Sequence, residues 1–187
     1  EIVVKLKSIR PDVLLYGEGW RIDDNPSLAH MYNKEVSQEI GFFNDQFRDA
    51  VKGSTFDESD LGFAIGNTKK SSIVEKCFLG KSIVLPKQSI NYVECHDNLT
   101  LYDKMLTVLK NKDLIYSYHK IATLLTLIAP GIPFIHLGQE FYRSKSGIDN
   151  SYNVGDEVNM INWSDVDKFY DDIEIFKNMI QFRKQIE

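Results

Sequence analysis

Short apolar segments, each ending on a polar residue capable of chemistry and separated by helical or loop stretches, constrain this chain more than any other feature. Val13-Leu14-Leu15-Tyr16 closes at Gly17 and leads to Glu18, and Ile40-Gly41-Phe42-Phe43 leads to Asn44-Asp45. Ile90 to Cys95 leads to His96-Asp97-Asn98, and Ile132 to Leu137 leads to Gly138-Gln139-Glu140. Their aliphatic and aromatic content predicts strands. Ile2, Val3, Leu6 and Ile9 fall at helical spacing up to Pro11. Leu114 to Ala129 carries the stripe of a largely buried helix, stopped by Pro130-Gly131, and Ile173, Phe176, Met179 and Ile180 mark a last helix. Strands alternating with helices predict an α/β fold with a parallel sheet and right-handed crossovers. A doubly wound sheet and a (β/α)8 barrel both obey that grammar. Barrels draw their active-site groups from the carboxyl ends of several strands, which is where Glu18, Asp45, His96-Asp97 and Gln139-Glu140 fall, although four strands make only half a barrel.

Between these segments the chain is polar. The stretch containing Asn25-Pro26 and His30-Met31 is loop-like, and residues 53–72, rich in Gly, Ser, Thr, Asn and Asp, are expected to be loop with at most a short helix. No repeat or interdomain linker divides residues 1–187, so a single domain is expected. With 22 basic and 27 acidic residues the net charge is −5, which argues against a nucleic-acid partner, whose phosphates need a basic face. A polybasic membrane patch is missing too, and the apolar run from Ile121 to Gly138 is broken by Pro130-Gly131-Ile132-Pro133 before it could span a bilayer. Glu1 follows neither an initiator Met nor a signal peptide and is not expected to be the natural start.

The chemistry narrows by elimination. Cys77 and Cys95 form no C-x-x-C pair and read as reduced fillers, and the four histidines show no metal-ligand spacing. A nucleophilic triad fails for want of a G-x-S-x-G elbow, no G-x-G-x-x-G turn or phosphate loop occurs, and no cofactor is expected. Carboxylates remain. Glu18 lies between Gly17 and Gly19, which leave room for a ligand, and Trp20 could exclude water around an acid. Asp97 follows His96 at another strand end, where Asp97 or Asn98 could equally serve as an Asx turn or helix cap before Leu99-Thr100-Leu101. Two carboxyl groups across a pocket are the minimum apparatus for cleaving a glycosidic bond. The 2 Trp, 9 Tyr and 11 Phe suit sugar stacking as well as core packing.

Tyr16-Gly17-Glu18-Gly19-Trp20, Gly41-Phe42-Phe43-Asn44-Asp45 with Phe47-Arg48-Asp49, Tyr92-Val93-Glu94-Cys95-His96-Asp97-Asn98, and Gly131-Ile132-Pro133-Phe134 with Gly138-Gln139-Glu140-Phe141 follow one another in an order that resembles type I pullulanases. These are debranching members of the α-amylase superfamily, glycoside hydrolase family 13. The resemblance runs through Trp163. It implies half of a (β/α)8 TIM barrel, approximately strands five to eight with their helices, from a parent enzyme that cleaves α-1,6-glucosidic bonds in pullulan, glycogen or starch. The implied mechanism is the retaining two-carboxylate one, with an α-glucan as substrate; calcium occurs in the superfamily, but no ligand cluster in these residues supports a metal.

By the same resemblance Glu18 is the acid/base, while His96 and Asp97 hold the sugar at the cleaved bond. Asp97 then stabilises the transition state and is not the nucleophile. Trp20, Tyr92, Asn150 and Tyr152 are implied to contact substrate, whereas Asn44, Asp45, Arg48 and Gln139-Glu140 are expected to be structural. Cys95 stands where a small residue such as Ala or Ser is expected. The family's nucleophile, the aspartate of a G-F-R-F-D-type motif, has no counterpart in these residues, nor does its D-x-x-x-N-H motif. A retaining reaction needs a nucleophile about 5–5.5 Å from the acid, so the chain alone is expected to be inactive. Half a barrel would also leave two strand edges open, which favours a homo-oligomer. The competing reading is a non-catalytic carbohydrate-binding or interaction domain derived from such a barrel. Both an intracellular and a cell-surface location fit the family.

Overall fold

The computed structural model describes residues 2–22, 24, 30 and 38–186. Asn25-Pro26 and Met31 lie outside the described residues. Helix α1 (Ile2–Ile9) precedes β1 (Leu15–Gly17), followed by β2 (Ile40–Phe43) and α2 (Asp45–Val51). Two 3₁₀ turns lead into α3 (Ser71–Phe78), after which come β3 (Ser89–Asn91), α4 (Leu101–Val108), α5 (Ile115–Ile128) and β4 (Ile132–Pro133). Short helices α6 (Asp156–Asn159) and α7 (Ser164–Lys168) lead to the terminal helix α8 (Tyr170–Ile186).

The four strands are all parallel and lie in the order β1-β2-β3-β4. That order decides between the two architectures left open by the pattern. A doubly wound sheet reverses its strand order at a switch point, whereas a barrel adds each strand beside the last. Among the described residues no reversal occurs, so the sheet winds as part of a barrel. Leu15 faces Ile40, Phe43 faces Ile90, and Ile90 faces Ile132 across the sheet. Helices α2, α3, α4 and α5 bury one cluster, with Phe47, Val51, Val93, Leu101, Met105 and Ala122 at its centre.

Local chemistry explains the element boundaries. Asn44 caps α2 by accepting a hydrogen bond from Phe47 N at 3.0 Å, so the chain leaves β2 directly into a helix that the apolar pattern does not announce. Asn44 Nδ2 also donates to Ser89 Oγ at 2.8 Å and Asn91 Oδ1 at 3.2 Å, and Asn91 Nδ2 donates to Pro130 O at 2.9 Å. Three buried polar side chains thus tie β2, β3 and the turn before β4 together. Residues 53–70 are loop and 3₁₀ turns, as expected, but α3 follows them unanticipated. Helix α5 stops where Pro130 forces Ala129 into an extended conformation. Gly131 then takes φ +120°, and a side chain there would meet Ser89 O at 2.6 Å.

Two further expectations are corrected. The ladders of β3 and β4 end at Asn91 and Pro133, well before Cys95 and Leu137. Beyond them, Tyr92 and Glu94 turn to side-chain partners on other elements, and the backbone leaves the ladder. The cap of α4 is Thr100, which accepts from Asp103 N at 3.0 Å, so neither Asp97 nor Asn98 serves that purpose. Asn98 instead adopts φ +59°, a left-handed conformation that Asn tolerates. Among the described residues no helix is long and apolar enough to cross a membrane.

His119 on α5 is buried against Tyr142, with ring centroids 4.8 Å apart and, among the described residues, no hydrogen-bond partner at Nε2. Burial pushes it down to about 4 from 6.5, although Glu94 and Asp172 pull the other way. The unfolded chain therefore binds the extra proton first, and stability is expected to fall as pH drops from 6.5 through 4. One such group contributes on the order of 3 kcal/mol. Chemical denaturation across that range checks this, and His119→Phe should flatten the acid limb of the stability profile.

Candidate active site

Because the strands run parallel, their carboxyl ends share one edge, and the motif residues that follow them converge there. Glu18 and Trp20 follow β1, and Gly19 between them takes φ +76° against Phe42, where a Cβ would approach to 2.6 Å. Tyr92, Cys95, His96 and Asp97 follow β3, and Phe134 follows β4. All of these, with Tyr16 and Phe43, line a cavity of about 300 Å³. Its floor is aromatic. Phe43 meets Tyr92 edge-on at 5.0 Å between centroids and Phe134 at 5.1 Å.

The floor is fixed from behind. Tyr92 Oη donates to Asp45 Oδ1 at 2.6 Å and accepts from Arg48 Nη1 at 2.6 Å. Arg48 also reaches Asp45 at 3.2 Å and, through Nε, Asp49 at 2.7 Å. Burial works against the guanidinium charge, but the Asp49 hydrogen bond and the neighbouring negative groups more than offset it and raise its pKa. Burial likewise raises the Tyr92 phenol, which stays a neutral donor. Asn44, Asp45 and Arg48 thus hold the top of the sheet by hydrogen bonding, as expected. Gln139, buried, donates to Thr123 Oγ1 at 3.0 Å, and Glu140 accepts from Gly138 N at 3.0 Å, so this pair is structural too.

A second cavity of about 250 Å³ adjoins the first. His96 and Asp97 line both, and Asn150 and Tyr152 line the second together with His136 and Arg143. His96 Nε2 lies 3.5 Å from Asp97 Oδ1. The sequence-derived residues therefore fall in two adjoining hollows, Glu18, Trp20 and Tyr92 in one and Asn150 and Tyr152 in the other, with His96-Asp97 between. One expectation fails here. Trp20 is 51% exposed and Glu18 is open to solvent, so this segment does not wrap the carboxyl in a dry pocket.

Buried charges behind these cavities escaped the sequence reading. Glu94 is 1% exposed, accepting from Leu101 N at the start of α4 at 2.5 Å and meeting His136 Nδ1 at 2.9 Å. Its charge sits at a helix N-terminus, where it is favoured. His136 Nε2 lies 3.1 Å from Arg143 Nη1. A guanidinium only donates, so Nε2 accepts, and the neutral imidazole carries its proton on Nδ1 toward Glu94. Lys52 is buried too, and burial pushes it down to about 8, partly offset by Glu94. Lys145, also buried, donates through Nζ to the backbone of His96. Cys95 is more than a filler, since it lines the first cavity beside Asp97, and burial raises its thiol. The only sequence signal for Glu94 and Cys95 was their place inside the Tyr92–Asn98 motif.

No protein-family model matches the chain. Pullulanase of Bacillus subtilis strain 168 is 40% identical over 96% of this chain and 27% of its own length. Pullulanase 1, chloroplastic, of Arabidopsis thaliana is 40% identical over 81% of this chain and 22% of its own. Type I pullulanase of B. subtilis strain 168, solved with maltose, superposes with a TM-score of 0.92 at 40% identity over 98% of this chain and 28% of that one. Pullulanase of Anoxybacillus sp. LM18-11, solved with maltotetraose, gives 0.93 at 39% over 98% and 28%. The chain thus spans about a quarter of the length of these two curated relatives. With its unreversed parallel strands superposing on part of their barrel and its strand-end motifs in place, the chain belongs to the pullulanase family.

Proposed function

We propose that this chain forms the acid/base side of a debranching glycoside hydrolase that cleaves α-1,6-glucosidic bonds in pullulan, glycogen or branched dextrins. One observation carries the reading: Glu18 and Asp97, from different strand ends, line the same aromatic-floored cavity. Glu18 protonates the leaving glycosidic oxygen and later takes a proton from the attacking water. Asp97, with His96 beside it, stabilises the charge that develops on the sugar ring. Trp20 offers its exposed ring to the sugar, and Asn150 and Tyr152 extend the contact into the adjoining hollow, whereas Tyr92, only 3% exposed and with Arg48 over its ring, packs beneath the site instead of stacking on substrate. The maltose and maltotetraose bound by the solved relatives support an α-glucan ligand.

In this reading the nucleophile comes from the part of the barrel that these residues do not include. Without it no covalent glycosyl-enzyme forms, and protonation by Glu18 alone cannot complete the retaining reaction. Among the described residues β1 and β4 each pair with one strand only, and Leu14, Tyr16 and Leu137 stand exposed near them. We infer that the chain in isolation self-associates through these open edges.

Three measurements test the reading. The full-length protein carrying this segment should release maltotriose from pullulan, and Glu18→Gln or Asp97→Asn should each lower kcat by about 10²–10⁴-fold. Full activity in either variant overturns the assignment. The 187-residue chain alone, freed of contaminating enzyme, should release no maltotriose above a heated control. Light scattering of the same sample should give a dimer or larger species, and a strictly monomeric mass would contradict the open-edge argument.

A further inference from the structure

The backbone that carries His96 and Asp97 is held from an unexpected side. Among the described residues, residues 95–98 receive two hydrogen bonds on their backbone. One is a weak contact from Cys95 Sγ to Asp97 O at 3.8 Å. The other comes from Lys145, whose Nζ donates to His96 O at 2.8 Å. That carbonyl belongs to the peptide joining His96 to Asp97, so the ammonium sets the plane from which the Asp97 side chain departs. The Asp97 carboxylate itself is exposed, with His96 at 3.5 Å as its recorded partner. Its placement therefore depends on its backbone.

Lys145 is in turn fixed. It is 1% exposed, and its Nζ also donates to Asp149 O at 2.9 Å. Its own N–H donates to Asp103 Oδ2 at 2.7 Å, while Ser144 Oγ donates to Asp103 Oδ1 at 2.5 Å. Asp103 is buried in the first turn of α4, the helix whose start is held by Glu94. A rigid path thus runs from α4 through Asp103 and Lys145 to the His96 carbonyl, joining the segment after β4 to the loop after β3. Tyr142 and Ser146 on either side adopt φ +63° and +57°, uncommon for non-glycine residues and maintained only where the surroundings fix them.

We propose that Lys145 is a positioning residue for the carboxylate of Asp97, acting through the His96–Asp97 peptide. The proposal rests on the glycosidase reading above for its catalytic consequence, but the restraint itself is a property of the fold. Methionine at 145 would fill similar space without the donor, and the loop would lose its stronger tether. A displacement of about 1 Å at a catalytic group costs on the order of 10²-fold in rate. Arginine would keep a charged donor within reach of the same carbonyls.

The test uses the full-length protein with Lys145→Met and Lys145→Arg, measuring kcat and KM on pullulan beside amide hydrogen exchange of residues 95–98 and of α5. Lys145→Met should lower kcat by about 10²-fold with KM within about threefold of wild type. Exchange in 95–98 should quicken about tenfold or more while α5 keeps its protection. Lys145→Arg should recover most of the lost kcat. Unchanged kcat and unchanged exchange at 95–98 in a folded Lys145→Met protein overturn the proposal. So does a loss of kcat that tracks equal loosening of α5 and is shared by Lys145→Arg, because that pattern marks general destabilisation. A wild type that cleaves no α-1,6 bond sinks the glycosidase reading, whereas exchange at 95–98 still decides whether Lys145 holds the loop.

Discussion

The polar knot of Asn44, Ser89 and Asn91 is the interaction on which the rest of the structure depends. Parallel strands this short offer few ladder hydrogen bonds, and a slip of one residue would turn every side chain to the opposite face. The knot removes that freedom. Asn44 caps α2 with its carbonyl oxygen while its amide group reaches two side chains of β3, and Asn91 continues to Pro130 before β4. Each buried group finds a partner, which is the condition under which a polar network rigidifies a core. Strand ends aligned in this way bring Glu18, Asp97 and the aromatic floor to one edge.

A second layer of buried charge stands behind that edge. Arg48 with Asp45 and Asp49, Glu94 with His136 and Leu101 N, and Lys145 with three backbone carbonyl or carboxylate partners all lie beneath exposed motif residues. Burying such groups is a poor way to gain stability, since desolvation consumes most of the Coulomb attraction. What they supply is direction. Each charge-assisted hydrogen bond fixes one loop after one strand, so the exposed residues sit on restrained backbones.

Much of this was legible in the sequence for a physical reason. The positions of the strands, the Pro130-Gly131 stop and helix α5 are local patterns, written within a few residues, and all three are seen in the structure, although β3 and β4 end earlier than their apolar runs. The winding was not local. Only the order of strands in the sheet separated a barrel from a doubly wound sheet. Helix α2 was hidden because its signal is a capping asparagine followed by charged residues that look like a loop. Helix α3 was hidden by the polar segment before it. Glu94, His136 and Lys145 were missed because charged side chains are normally solvated, and their burial depends on partners far away in the chain. Glu18 and Trp20 were placed at the right edge, but their exposure depends on surroundings beyond this segment's own contacts.

Tyr92 joins two jobs in one side chain: its ring paves the cavity while its hydroxyl is clasped between Asp45 and Arg48 of α2. Replacing Tyr92 would therefore take one partner each from a buried arginine and an aspartate, leaving them only each other and Asp49 among the described residues. Substitutions that change the width of this hollow accordingly disturb the fold least away from its base. They fall most lightly on the rim, where Tyr16 and Trp20 stand in water and answer to no helix.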